Sequence, residues 1–535
     1  MSQTVIEHVL GRLKDVGILD VFGVPGDFSF AVSDAVVNSP EVNWIGCCNE
    51  LDAGYAADGY ARIRGTGAVS TTYGVGELSA LGAIAGAYAE HLPVFHLVGM
   101  PGRPTQERRA LVHHTLGDGE FDFFRKMADP VVCASAILTP QNAAYQTERL
   151  IAEAFYHRRP VYMAFPADVA DQELLGRAPP LDPPRSDPAA LQAATEAIIA
   201  ALDGAGTACI LPGLLAKRAG LGDQLQSFID ASGLPFATMF GDKTVVDEQQ
   251  PAYIGMYDGR LMDEDVRAFV ESCDQVVTIG TLMTDFNTGA FTARIDSAKT
   301  IDIAHHHTRA GSHAYPNVEM GDILTGLASR VARRNGQAPL KPGSLGPAAG
   351  SGSDPITAEA LYPRWASFLQ PGDILVADTG TCSMGLGFAP MPKGATFHNQ
   401  TLWCAIGWAT PAAFGAAVAA PGQRVVLVTG EGAHQITVQE ISQLGRRGLK
   451  PVIFVLNNSG YLIERLLCKD AAIEYNDVAS WRYAQIPHAL GCDDWFTARV
   501  TTCGQLDEAL RRASQDGVAG KRFISPLVAA SSSPT

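Results

Sequence analysis

Two β-branched runs, Arg424-Val-Val-Leu-Val-Thr and Pro451-Val-Ile-Phe-Val-Leu, lie on either side of a helix-length segment. This pattern predicts a β-α-β unit with parallel strands, and a parallel pair needs helices on its faces. Each run ends in a polar loop. Gly430-Glu431-Gly432 follows the first, and Asn457-Asn458 follows the second, with 24 residues between Gly432 and Asn457. Ligands of open α/β sheets gather at the carboxyl ends of strands, where both loops fall. Glycines beside the acid let the backbone approach a phosphate, and the following helix N-terminus favours an anion. A carboxylate (Glu431), an amide oxygen (Asn458) and a backbone carbonyl (Gly460) suit Mg²⁺, which takes oxygen ligands and completes its shell with phosphate and water. The segment Gly430–Glu464 reads as a Mg²⁺-diphosphate site.

The alternation recurs along all 535 residues. Asp20-Val-Phe-Gly-Val-Pro, Trp44-Ile-Gly-Cys-Cys, Ala68-Val-Ser-Thr-Thr and Val94-Phe-His-Leu-Val are short apolar runs separated by Ala/Gly-rich helical segments. Ala208-Cys-Ile-Leu-Pro, Gln275-Val-Val-Thr-Ile-Gly, Asp373-Ile-Leu-Val-Ala-Asp and Phe523-Ile-Ser-Pro-Leu-Val continue the series. Two stretches rich in Pro, Gly and Ser read as linkers, 176–189 and 336–355. They predict three tandem units, 1–175, 190–335 and 356–535, each a doubly wound parallel α/β sheet. A hydrophobic content of 47% supplies large cores and excludes global disorder. The net charge of -16 argues against a nucleic-acid surface or an anionic membrane. No apolar run has the length of a membrane helix, and the N-terminus shows no signal peptide. Ten cysteines without CxxC spacing read as reduced thiols of a cytoplasmic protein, with Cys47-Cys48 expected as a buried strand pair. The tract His305-His306-His307 is expected to end a strand and face solvent or a domain seam rather than bind metal.

The Gly430–Asn458 motif resembles the thiamine diphosphate (ThDP) signature GDG…NN, with Glu431 in place of Asp. A second stretch strengthens the likeness. Cys48-Asn-Glu-Leu-Asp-Ala-Gly-Tyr-Ala-Ala-Asp-Gly-Tyr-Ala-Arg matches the segment that carries the glutamate of ThDP enzymes, here Glu50. That glutamate hydrogen-bonds the cofactor's pyrimidine ring and so activates it. Asp27, in Val24-Pro-Gly-Asp-Phe, His113-His114 and Glu464 fall at positions that define the pyruvate, indolepyruvate and branched-chain 2-oxo acid decarboxylases. Histidine titrates near neutrality and suits proton transfer; no other His or Cys lies at zinc-ligand spacing around this pair. The resemblance implies three domains: pyrimidine-binding, middle, and diphosphate/Mg²⁺-binding. It implies non-oxidative conversion of a 2-oxo acid to an aldehyde and CO₂ through a ThDP enamine. Glu464 would handle protons near the substrate carboxylate, Asp27 and His114 would protonate the enamine, and His113 would orient them. Thr379, Gly380, Thr381, Cys404, Ile406, Gly430, Gly432, Ala433 and Asn458 would contact the cofactor. Glu431, Asn458 and Gly460 would hold Mg²⁺.

The resemblance also places Phe286, Thr379, Ser383, Ile463 and Leu467 along the substrate pocket. Pyruvate-selective relatives carry a large aromatic where this chain has Ser383, so substrates larger than pyruvate are expected: branched, long-chain or aromatic. The alternatives are a pyruvate decarboxylase, a carboligase of the acetolactate synthase type, and a silent ThDP-fold scaffold. The chain leaves no room after Leu527 for the helix that covers the active site in relatives, which predicts a more open pocket. Family members build each site from two subunits, so self-association as a dimer or tetramer is expected.

Overall fold

The computed structural model describes residues 3–334, 338–515 and 522–526. Three α/β sheets follow one another along the chain. The first holds β1 (Asp20–Gly23), β2 (Asn43–Gly46), β3 (Gly67–Thr71), β4 (Val94–Met100), β5 (Ala134–Ile137) and β6 (Val161–Pro166), in the order β2-β1-β3-β4-β6-β5. The second holds β7 (Ala208–Pro212), β8 (Phe236–Thr238), β9 (Tyr253–Met256), β10 (Gln275–Ile279), β11 (Thr300–Ile303), β12 (His307–Ala310) and β13 (His313–Pro316), in the order β13-β12-β11-β10-β7-β8-β9. The third holds β14 (Ile374–Ala377), β15 (Thr396–His398), β16 (Val425–Gly430), β17 (Val452–Leu456), β18 (Phe496–Val500) and β19 (Arg522–Pro526), in the order β15-β14-β16-β17-β19-β18.

The first and third sheets share one plan. All their pairings are parallel, and their strands, counted from each sheet's first, follow the same spatial order. Between β1 and β3, and again between β14 and β16, the order of winding reverses. Such switch points open a crevice at the carboxyl ends of the strands. The middle sheet departs from a purely parallel one: β12 and β13 form an antiparallel edge hairpin beyond β11. Strand β11 stops at Ile303 and the hairpin begins at His307, so the histidine tract does not end a strand but leads into the next one. His306 stacks on Tyr156 of the first unit at 3.8 Å, which puts the tract at a seam between units.

The central strands are buried on both faces, which explains their continuous β-branched sequences. The first and third sheets are joined by two helices. One, Glu50–Arg64, starts at Asn49, whose side chain accepts the Asp52 N–H as an N-cap. Its partner, Ala409–Ala419, is apolar all round and almost wholly buried. They approach closely: a Cβ on Gly415 would overlap the Ala56 carbonyl. Around this crossing Asp58 Oδ1 accepts from Arg62 Nε at 2.7 Å and from Trp408 Nε1 at 2.9 Å. Arg62 also donates to Asn399 O and lies over the Trp408 ring. Glu90 Oε1 takes the Leu402 and Trp403 N–H groups, and Arg218 of the middle unit donates to Glu90 O. One buried ionic cluster therefore touches all three units.

Cys47 and Cys48 correct the expectation of a buried strand pair. Strand β2 ends at Gly46; Cys47 is half-buried and Cys48 exposed. The chain turns there to let the Cys48 N–H reach Glu440 Oε2 at 3.0 Å.

Candidate active site

Strand β16 delivers Glu431 to the first turn of the helix Glu431–Thr437, and β17 delivers Asn458 beside it. Glu431 is buried. Its Oε1 accepts the Gly460 N–H at 2.7 Å and the Asn458 N–H at 3.1 Å. Burial raises its pKa, while these bonds work in the opposite direction. The Asn458 side-chain terminus lies 2.7 Å from Gly460 O and 3.1 Å from Glu431 Oε1. With the amide nitrogen inward, it donates to both. With its oxygen inward, three oxygens converge, at spacings near the ~2.9 Å edge of an octahedron with Mg²⁺–O bonds of about 2.0–2.1 Å. The donor set and its spacing fit Mg²⁺.

A cavity of about 360 Å³ opens beside these oxygens. Its walls include Thr379, Gly380 and Thr381 after β14, Ile406, Gly430–Ala433, and Asn458 to Glu464 without Ser459. A Cβ added to Gly380 or Gly430 would meet no atom within 4 Å, so both walls are open where a diphosphate needs backbone access. Gly432 is glycine for the opposite reason: a Cβ there would strike the Tyr461 ring. The residues present fit a Mg²⁺-diphosphate group. A larger cleft, about 850 Å³, lies at the seam between first and middle units around Tyr156, Arg158 and His306. It contains none of the expected cofactor residues, so the smaller cavity is the candidate site.

Four residues expected along the pocket of the third and middle units do not line that cavity within one chain. Ser383 is buried on the helix Thr381–Gly387, and its hydroxyl donates to Gly380 O at 3.0 Å. Phe286 stacks on Phe240 in the middle unit. Leu467, at the end of the helix Leu462–Leu467, is 75% exposed. Cys404 points its thiol at Gln400 O. Conversely, Cys382, Leu456, Tyr461 and Leu462 line the cavity and were not anticipated. The Gly432–Tyr461 contact was legible only as a glycine that must accept a neighbour, with nothing to name the neighbour.

Asp27, His113 and His114 form a second cluster, on the first sheet. His113 Nε2 lies 2.6 Å from Asp27 Oδ2, and His114 Nδ1 lies 3.8 Å from Asp27 Oδ1. Phe28 stacks on the His113 ring at 4.9 Å. His114 has φ 59°, so a strained backbone turns consecutive imidazoles to one carboxylate. Partial burial pushes the Asp27 pKa up, but the His113 bond and charge outweigh it and hold the carboxyl below its usual range. Their donor atoms lie close enough to share an ion, yet the side chains of Asp27, His113 and His114 are 41%, 60% and 30% exposed and already paired to each other. Glu50 opens its helix close to Gly76, whose added Cβ would come within 3.3 Å of Glu50 Oε1. Two residues on, buried Asp52 is pushed up to about 8 by desolvation and by the neighbouring Glu440 charge. Gln439 donates to Asp52 Oδ2 at 2.8 Å. None of Glu50, Asp27, His113 or His114 lines the 360 Å³ cavity of its own chain.

Comparison with known proteins agrees with this geometry. Residues 3–122 match the N-terminal TPP binding domain of thiamine pyrophosphate enzymes, 195–327 their central domain, and 378–522 their C-terminal TPP binding domain. An alpha-keto-acid decarboxylase of Mycobacterium ulcerans is 40% identical over 517 residues, covering 96% of this chain and 91% of that protein. The chain belongs to the ThDP-dependent 2-oxo acid decarboxylases. Alpha-keto-acid decarboxylases of Mycobacterium leprae and Mycobacterium tuberculosis H37Rv are equally similar, at 40% identity over 96% of this chain and 90% and 92% of theirs. A solved Mycobacterium smegmatis structure described as a thiamin diphosphate-dependent enzyme superposes with a TM-score of 0.79, over 99% of this chain and all of that one. At 20% identity it speaks for the fold of this decarboxylase alone.

Proposed function

We propose that this decarboxylase acts on 2-oxo acids larger than pyruvate and releases the corresponding aldehyde. The Asp27–His113–His114 cluster carries the reading, because aldehyde release consumes one proton per turnover and this cluster can supply it. Bound ThDP provides the electron sink that makes CO₂ loss feasible. Glu50 would hydrogen-bond the cofactor's pyrimidine. Glu431, Asn458 and Gly460 would hold Mg²⁺, while Gly380, Thr381, Gly430 and Ala433 would border the diphosphate. Glu464, on the cavity wall, would set a carboxylate beside the substrate's own and so favour its departure as neutral CO₂, with the electron pair left behind. His113 and His114, oriented by Asp27, would supply the proton that aldehyde release consumes. The size preference rests on the resemblance at position 383 alone, since the Ser383 hydroxyl is turned to Gly380 O and does not line the cavity.

Two subunits would complete each site, as a dimer or a tetramer of dimeric halves. The two halves of the chemistry sit apart in one chain, and the surfaces around them are apolar. Val75, Leu111, Leu116 and Phe123 near the first half, and Ile436 near the second, are all exposed. None of the ten cysteines is in a disulfide, which supports a cytoplasmic location. Among the described residues no helix is long and apolar enough to cross a membrane. The openness expected from the chain end after Leu527 falls outside the described residues.

The deciding assay is aldehyde release with ThDP and Mg²⁺ on pyruvate, 2-oxoisovalerate, 2-oxooctanoate, phenylpyruvate and indolepyruvate. A higher kcat/KM for the larger acids is expected. A clear preference for pyruvate overturns the size reading, and 2-hydroxy ketones as the main product overturn the decarboxylase reading in favour of a carboligase.

A further inference from the structure

Asp378 has no part in the chemistry described so far, yet its side chain is placed at the centre of the cofactor cavity's walls. It follows β14 and is fully buried. Its Oδ1 accepts the Thr379 N–H at 3.0 Å and the Gly407 N–H at 3.2 Å. Its Oδ2 accepts the Thr429 hydroxyl at 3.0 Å. Its carbonyl oxygen receives the Cys382 thiol. Each partner borders a wall of the 360 Å³ cavity. Thr379 lines it and precedes Gly380 and Thr381; Gly407 follows Ile406; Thr429 precedes Gly430 and Glu431. Gly407 has φ 87°, a left-handed turn that glycine adopts without steric cost and that presents its N–H to Asp378. The third sheet's switch point lies between β14 and β16, and Asp378 ties together the loops that leave both strands there.

We propose that Asp378 is a positioning residue: its single carboxylate holds the 379–381, 406–407 and 429–431 segments in the mutual register that ThDP and its metal require. The claim rests on the ThDP reading of the cavity. Desolvation pushes the Asp378 pKa up to about 7, with the three donors working against that rise. The hydrogen bonds hold the side chain in place.

The test compares wild type, Asp378→Ala, Asp378→Asn and Thr429→Val as apoproteins titrated with ThDP at saturating Mg²⁺, followed by intrinsic fluorescence. Melting temperature is recorded alongside. Asp378→Ala is expected to weaken ThDP binding at least tenfold. Asp378→Asn, which keeps the shape and an acceptor oxygen, should recover a large part of that loss. Thr429→Val, which removes one of the three donors without changing side-chain volume, should weaken binding about threefold and serves as the test where Asp378→Ala does not fold. The apparent KM for ThDP should rise more than kcat at saturating cofactor falls. A residue that only stabilises the fold would lower the melting temperature and leave ThDP affinity of the folded protein within twofold. That result for Thr429→Val together with Asp378→Asn or Asp378→Ala overturns the proposal. Failure of wild type itself to bind ThDP would overturn the cofactor reading instead.

Discussion

Replacing Glu431 by Asp tests how this chain manages an acid one methylene longer than its family's signature. In the structure that methylene carries Oε1 across to the Asn458–Gly460 loop, where it takes two N–H bonds, at 3.1 and 2.7 Å. Aspartate retracts the carboxylate by about 1.5 Å, a single C–C bond. Both N–H groups lose their acceptor in a buried loop. Each hydrogen bond to a charged group contributes about 1.5–3 kcal/mol, so the cofactor-free variant should be about 3 kcal/mol less stable. The metal sees the reverse. In wild type, a cation must draw on an oxygen already committed to two donors, and it meets a carboxyl that burial makes harder to ionise. Freed of the loop, an aspartate at 431 should bind Mg²⁺ and ThDP about tenfold more tightly, a gain of about 1.4 kcal/mol. Urea unfolding of the two apoproteins measures the first effect. Release of Mg²⁺ and ThDP after rapid dilution measures the second. Equal cofactor retention by the two proteins, or an apo Glu431→Asp protein as stable as wild type, would refute the reasoning.

His113→Ala and Glu464→Gln should each lower kcat on the preferred 2-oxo acid by about 10²–10⁴-fold, the range for a lost proton-transfer group; ThDP affinity within threefold of wild type, by titration, separates this from cofactor loss. Arg62→Met removes one member of the buried Asp58–Arg62–Glu90 cluster and strands two carboxylates, so it should cost about 3–5 kcal/mol; a change under 1 kcal/mol in chemical unfolding would contradict the cluster's role. Asp52 and Glu440 are acids whose folded pKa values lie above their ordinary ones, with Asp52 at about 8. The folded state binds the extra proton, so stability should fall as pH rises from about 4 to about 8. Melting temperature against pH, compared with Asp52→Asn, measures this: the variant should show the shallower slope over that window, and parallel curves would exclude Asp52 as the source.

What was legible along the chain was local. Runs such as Val425–Thr429 announce buried parallel strands, and the loops that follow them carry glycines, acids and amides whose types suit a metal and a diphosphate. Those signals sit within a few residues of one another, and the structure gathers nearly all of them around one cavity. The pocket residues drawn from the resemblance were less legible. Ser383 turns its hydroxyl onto Gly380, one helical turn back, and Phe286 stacks on Phe240, 46 residues away; a resemblance at one position transmits neither choice. Cys47-Cys48 failed for a related reason: an apolar pair at a strand end looks buried until Glu440, almost four hundred residues away, captures the Cys48 N–H. Asp378 was visible only as the polar end of an apolar run, because its three partners arrive from three loops.

The equal strand order of the first and third sheets turns this into an argument about how the site is kept in register. Each sheet presents its functional loops at the carboxyl ends of its strands, so the cofactor's two halves are recognised by two copies of one architecture. Such halves work together only if their relative placement is firm. The helix Glu50–Arg64 meets that requirement along its whole length. Its first turn carries Glu50 and, through Asp52 and Gln439, touches the helical segment after Glu431. Its middle packs against Ala409–Ala419 with backbone-to-backbone contact at Gly415. Its last turns carry Asp58 and Arg62 into the ionic cluster with Trp408, Asn399 and Glu90. Glu50, the residue proposed to activate the cofactor, is thereby fixed to the third sheet of its own chain. A mutation at the far end of this helix, such as Arg62→Met, should therefore lower kcat as well as stability, since any rotation of the helix moves Glu50. Full activity at saturating ThDP in a folded Arg62→Met protein would show that the joint stabilises the chain without aligning the site.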